Sequence, residues 1–187
     1  MALTPEQVKT YVDSFSWYET TGLDVKRKFL AHYVDVGTNS TEKWELLGYK
    51  VEDASIEFNW NEETVTDITG KTYRTITKSE PSITLDGYIM NTKSTFLKTL
   101  SNMAIRNAYE EFGNFTVLTV YYWLTKGESS SLEYLAKKEK NCSIAPSTLG
   151  GEGFVRISPT ITLSNDATFG SVTTGIGTEP TFTEGSV

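Results

Sequence analysis

The chain has 187 residues, with 17 basic against 24 acidic side chains, a net charge of −7, one histidine and one cysteine. That length suits one domain with arms and lets it bury about 70% of the surface its unfolded form exposes. Cys142 alone excludes an internal disulfide framework, and one cysteine with one histidine cannot complete the tetrahedral ligand set of a structural zinc. No metal or cofactor is expected, and the negative balance argues against a surface built to hold phosphates.

The first residues, Met1 to Tyr18, show neither a basic leader nor an apolar core, so no secretory signal is expected. The longest nearly apolar run, Val117 to Leu124, is broken by Thr119 and falls far short of the roughly 18 residues of a membrane span. A soluble protein made in the cytoplasm, without a membrane partner, is the expectation. The 28 threonines, ten tyrosines and nine phenylalanines favour strands. The composition predicts a mainly β fold.

Thr4, Pro5 and Gln7 have the form of an N-cap, a first-turn proline and a capping-box partner. Val8, Tyr11, Val12 and Phe15 then recur at helical spacing, which predicts a short amphipathic helix packed on the sheet within an N-terminal segment, 1–27. A β domain is expected over 28–169. It opens with a strand in which Leu30, His32, Val34 and Val36 share one side and Phe29, Ala31 and Tyr33 the other, so that both faces are covered.

The most informative stretch runs from Trp44 to Pro81. Ala54, Ile56, Phe58 and Trp60 alternate with Ser55, Glu57 and Asn59, the pattern of a half-buried antiparallel strand with one wet face. After Trp60 the alternation fades through Asn61, Glu62, Glu63 and Thr64, and a second strand follows around Lys71 to Lys78. The separation exceeds the usual 2–5 or so residues of a hairpin loop. Either the strands run beyond the sheet as a long ribbon, or the loop has a function.

Ile83, Leu85 and Ile89 continue in strand phase, with a bend at Asp86 and Gly87. Phe96, Leu97, Leu100, Met103, Ala104, Ala108 and Phe112 then share a helical face. This main helix should start near Thr92 to Ser94 and stop before Glu110 or at Gly113. A central strand is expected over Phe115 to Thr125, then strands at Leu132 to Cys142 and Phe154 to Leu163 separated by a flexible stretch, Pro146 to Gly153. The end, 170–187, reads as a flexible tail with few apolar residues.

Catalytic chemistry finds little purchase. The acidic pairs Glu52 and Asp53, Glu62 and Glu63, and Glu110 and Glu111 are neighbours in polar surroundings; along a strand such neighbours point to opposite faces and form no dyad. His32 lies in a strand without a serine or cysteine signature, so a packing role is expected. No phosphate-loop, dinucleotide, nucleophile-elbow or zincin motif occurs. Asp35, Gly37 and Asn39 begin like a calcium loop, but Ser40 and Leu46 stand where its glycine and its bidentate glutamate belong. The sequons at Asn39, Asn114 and Asn141 are read as chance matches.

The residues 47–81, LGYKVEDASIEFNWNEETVTDITGKTYRTITKSEP, resemble the major tail tube proteins of long-tailed bacteriophages, especially those of Gram-positive hosts, above all over GYKVEDASIEFN and ETVTDITGKT. The resemblance covers about a fifth of the chain strongly. It implies an antiparallel β-sandwich or barrel with one flanking helix and a long hairpin, closing six at a time into rings that stack into a hollow tube for DNA ejection. It implies a structural, non-enzymatic role in the virion tail, with copies of itself as partner and with tape measure, tail terminator and baseplate proteins as neighbours. Viral DNA would pass without specific binding. The extra immunoglobulin-like domain of some relatives is not expected here, because 170–187 is too short for it.

On that resemblance Asn59, Trp60, Asn61, Glu62, Glu63, Thr64, Val65, Thr66 and Asp67 would belong to an assembly arm. Six chains would give a ring of about −42, so phosphates in an acidic bore would find no cationic partner. Ser55, Glu57 and Asn59 are the candidates to line it. The competing readings are a monomeric carbohydrate-binding or adhesin module using some of the four tryptophans and ten tyrosines, and a glycoside hydrolase with a carboxylate pair of unfamiliar form.

Overall fold

The computed structural model describes residues 3–18, 24–38, 41–48, 51, 54–128 and 131–186, with only the backbone at 77–78. In chain order it contains α1 (Pro5–Asp13), β1 (Ser16–Trp17), β2 (Leu30–Asp35), β3 (Trp44–Leu46), β4 (Ile56–Glu57), β5 (Trp60–Thr66), β6 (Thr72–Ser79), β7 (Ser82–Thr84) and β8 (Tyr88–Ile89). The second half holds α2 (Thr95–Arg106), β9 (Phe115–Lys126), β10 (Glu133–Gly150), β11 (Arg156–Thr162), β12 (Ala167–Val172) and β13 (Phe182–Glu184). The fold is mainly antiparallel β with two helices.

One strand ties two layers together. The first part of β10 pairs with β9 on one edge and β12 on the other, extending the order β3-β2-β9-β10-β12-β13, with β1 alongside the end of β9. Its later part pairs with β11, which leads to β7 and β4 and also borders β8. Between the two parts the register slips, and Asn141 adopts φ 55°. Asparagine tolerates that left-handed conformation better than most residues, so it lets the strand turn from one layer to the other.

Strand β9 explains why both of its faces carry apolar residues. Val117 faces the core formed with Ile83, Leu85, Ile144, Ile157 and Ile161, whereas Leu118, Val120 and Tyr122 pack on the opposite side with Tyr33, Trp44 and Val172. Burying each such aliphatic side chain contributes roughly 1.5–3 kcal/mol. A third cluster seats Tyr11 and Phe15, from α1 and the turn after it, against Leu135. Thr4 and Gln7 make the reciprocal capping box that their spacing predicts.

Helix α2 closes the main core with Phe96, Leu97 and Leu100, all fully buried. Ser94 caps it, and the Glu45 carboxylate on β3 accepts from Thr95 N at 2.9 Å and Phe96 N at 3.1 Å. A negative group there meets both the unpaired N–H groups and the positive end of the helix. The helix stops at Asn107, at φ 54°, and not at Gly113; the segment Tyr109–Gly113 forms a 3-10 turn.

Three expectations are corrected. The stretch Pro146 to Gly153 is not one loose connection, because β10 continues to Gly150 and pairs with β11. Pro146 is accommodated opposite Pro159, at a register shift where the ladder is already irregular. Nor is 170–187 a loose tail: β12 and β13 pair within it, Val172 is fully buried, and Gly185 N donates to Phe169 O at 3.0 Å. Gly170 permits this closure, since a Cβ there would lie 2.5 Å from the Phe182 ring. The third correction concerns the alternating run 54–60, which enters the core only as far as Ala54 and Ile56. Asn59 turns to φ 48° and breaks the strand, leaving Phe58 and Trp60 in solvent.

Candidate assembly surface

Trp60 marks the start of the one two-stranded sheet among the described residues. Strands β5 and β6 pair with each other and with no strand of the two layers. The connection between them is short, so the long separation read from the sequence is strand and not loop. Asp67 builds the turn: its Oδ1 accepts from Thr69 N at 2.8 Å and Lys71 N at 3.0 Å, and Asp67 N donates to Lys71 O. Its pKa is lowered, first by the Thr69 hydroxyl and then by the Lys71 amide. Gly70 supplies the positive φ that the turn requires.

Every residue of β5 is exposed. The register places Glu62 beside Ile76, Thr64 beside Arg74 and Thr66 beside Thr72 on one face, with Glu63 beside Thr75 and Val65 beside Tyr73 on the other. Apolar side chains therefore project from both faces: Trp60 and Ile76 from the first, Val65 and Tyr73 from the second, with Ile68 at the tip. Arg74 and Glu62 form an ion pair at 3.4 Å on this open surface, where such a pair adds little stability. An isolated ribbon of two strands is marginal in water without something to cover it.

The root of the arm is pinned. Asn59 Nδ2 donates to Glu80 O and to Ser82 Oγ, both at 3.0 Å, Ser79 Oγ bonds Phe58 O, and Asn165 Nδ2 donates to Ser79 O at 2.9 Å. The structure thus brings Asn59 through Asp67 into one continuous element. Ser55, Glu57 and Asn59 are all exposed, but Asn59 faces the arm's root and does not continue a strand face with the other two. The nearby positions 49–50 and 52–53 lie outside the described residues, as does the acidic pair Glu52 and Asp53.

His32 and Cys142 are enclosed, whereas the acidic pairs within the described residues are not. His32 is buried; its Nε2 lies 3.1 Å from Ala54 O and its Nδ1 3.1 Å from Thr119 Oγ1, and burial followed by the Arg27 charge lowers its pKa to about 4. A neutral ring that donates from Nε2 and accepts at Nδ1 satisfies both contacts. Burial raises the pKa of the Cys142 thiol, which is inaccessible. Glu62, Glu63, Glu110 and Glu111 are exposed. Among the described residues no three metal-ligating side chains group together, and no helix is long and apolar enough to cross a membrane.

No protein-family model and no curated protein matches this chain. Among solved structures it is similar to the cap that terminates the tube of the anti-feeding prophage, determined by cryo-electron microscopy, with 13% identity over 81% of this chain and 98% of that one, at a TM-score of 0.36. A likeness at that level carries no argument about what this chain does. The exposed arm gives the functional reading its physical basis.

Proposed function

We propose that this chain is a structural subunit that assembles with copies of itself into stacked six-membered rings, the hollow tail tube of a long-tailed phage, and that it has no enzymatic activity. The observation that carries this reading is the ribbon β5–β6, which exposes apolar side chains on both faces and pairs with no other strand of the two layers. An unpaired ribbon of this kind costs solubility in a monomer, and a polymer that covers it recovers the lost apolar burial. The sequence resemblance over 47–81 falls on this same element.

A head-to-tail contact between different patches extends without limit or closes into rings, as a tube requires. In the proposed assembly the acidic balance of the chain leaves passing DNA without a cationic partner. Tape measure, terminator and baseplate proteins would meet the ends of the tube. The enclosed histidine and thiol and the exposed carboxylates support a role without catalysis.

The test is negative-stain electron microscopy of the purified chain across a wide concentration series, with sedimentation velocity on the same samples. Rings or cylinders that grow with concentration are expected. Single-chain mass under every condition would remove the reading.

A further inference from the structure

A second feature of the surface is complementary to the arm. On the outer face of the β2–β9–β10 sheet, Tyr18, Phe29, Tyr122, Tyr134 and Ile176 line an open cavity of about 260 Å³. Its floor is fixed: the Tyr122 and Tyr134 rings meet edge to face at 4.9 Å, and the Tyr122 hydroxyl lies 3.1 Å from that of Tyr33. The volume is below the roughly 300–1,000 Å³ of sites that enclose small molecules and suits one large side chain. An adjoining cavity, which shares Ile176, is lined by Arg27 and Lys28. Lys26, Arg27 and Lys28 are all exposed, with Asp24 the only acid in 24–28. Lys28 Nζ rests 5.5 Å from the centroid of Phe29, so positive charge sits at the aromatic rim.

The arm offers the converse. Trp60 is 60% exposed and stacks on Phe58, itself 52% exposed, at 5.6 Å and 10°. Glu62 shares the Trp60 face of the ribbon and also holds Arg74 at 3.4 Å, whereas Glu63 points to the opposite face. Building on the self-assembly reading above, we infer that the aromatic cavity of one copy receives Trp60 from the arm of a second copy, with Glu62, which shares the Trp60 face of the ribbon, turned toward the basic run 26–28. A large aromatic anchor in a preformed pocket, rimmed by opposite charge, is the arrangement that concentrates binding energy and orients encounter. Donor and acceptor patches differ, so each copy gives one arm and receives another, and growth continues.

The test uses full-length chains in a Cys142→Ser background, each checked for an unchanged urea midpoint. Glu62→Lys should raise the protein concentration needed for assembly about tenfold, as should Lys28→Glu. The two changes together should restore it. Independently, a chain carrying Asn61→Cys mixed with one carrying Lys28→Cys should give a disulfide-linked dimer on oxidation, whereas either chain alone should not. A wild-type chain that never assembles overturns the self-assembly reading and this assignment together. Assembly with neither charge rescue nor the mixed cross-link overturns the assignment alone, and leaves the cavity to a small ligand or another protein.

Discussion

Asn59 donates from its side-chain nitrogen to the hydroxyl of Ser82 at 3.0 Å, and that bond joins the root of the arm to the first residue of β7. The same nitrogen also reaches Glu80 O, and the Asn59 backbone sits at φ 48°. Asn59→Gly keeps that backbone accessible while removing both bonds. Because the site is exposed, the global free energy of unfolding from urea titration should change by less than about 0.5 kcal/mol. Amide exchange at the root of β5 should nevertheless accelerate, and assembly should weaken. Unchanged exchange at 60–62 would show that the root is held by something else.

Excision of the arm separates folding from assembly. Trp60 and Ser79 are paired across the ribbon, so 61–78 can be replaced by Asn-Gly, which closes a tight hairpin. The removed segment contains no buried residue among those whose side chains are described, and the two cores do not draw on it. The shortened chain should unfold cooperatively within about 1 kcal/mol of the parent and remain monomeric at concentrations where the parent polymerises. Cylinders formed by the excised chain, seen in the microscope, would end the arm's role.

Much of this was legible from residue types and spacing. The capping box at Thr4, the doubly covered strands around Tyr33 and Val120, and the start of α2 at Ser94 follow from local chemistry that tertiary packing left unchanged. The arm was legible only as an alternative, because fading alternation after Trp60 fits a loop as well as a ribbon wet on both sides. What misled was Asn59: Phe58 and Trp60 keep the strand period, and one positive φ redirects them to solvent. The pairing of 170–172 with 182–184 depends on Gly170 meeting Phe182, a long-range contact that no local pattern encodes. The aromatic cavity was equally invisible, since Phe29, Tyr122, Tyr134 and Ile176 meet only through the fold.

The pH dependence of stability should carry the signature of His32. In the folded chain its pKa falls from the ordinary 6.5 to about 4, chiefly through burial and secondarily through Arg27. Above pH 6.5 the ring is neutral in both states and stability is unaffected. As pH falls, the unfolded chain takes up a proton that the folded chain refuses, so stability is lost between about 6.5 and 4. The loss is of order 3 kcal/mol across that window. His32→Gln, which can still donate to Ala54 O, should flatten this slope by up to one proton in urea titrations at successive pH values. Parallel slopes for the two proteins would refute a buried neutral ring.

Glu139 poses the sharper electrostatic test. It is 1% exposed, faces Val117 on one neighbouring strand and Ala167 on the other, and its Oε2 has no hydrogen-bond partner among the described residues. Its counter-charge is Lys137, whose Nζ lies 3.1 Å from Oε1. Glu139's negative charge also adds to burial in raising the pKa of Tyr121 to about 12. Lys137→Met should therefore strand a buried charge and cost about 3–5 kcal/mol. Lys137→Met with Glu139→Leu removes both charges and fills the same space with carbon, and should return to within about 1 kcal/mol of the parent or exceed it. The two single changes and the double, compared by urea denaturation, give the coupling directly. A neutral Lys137→Met would mean that the carboxylate draws its compensation from elsewhere, and that the ion pair contributes nothing to holding β10 against β9 and β12.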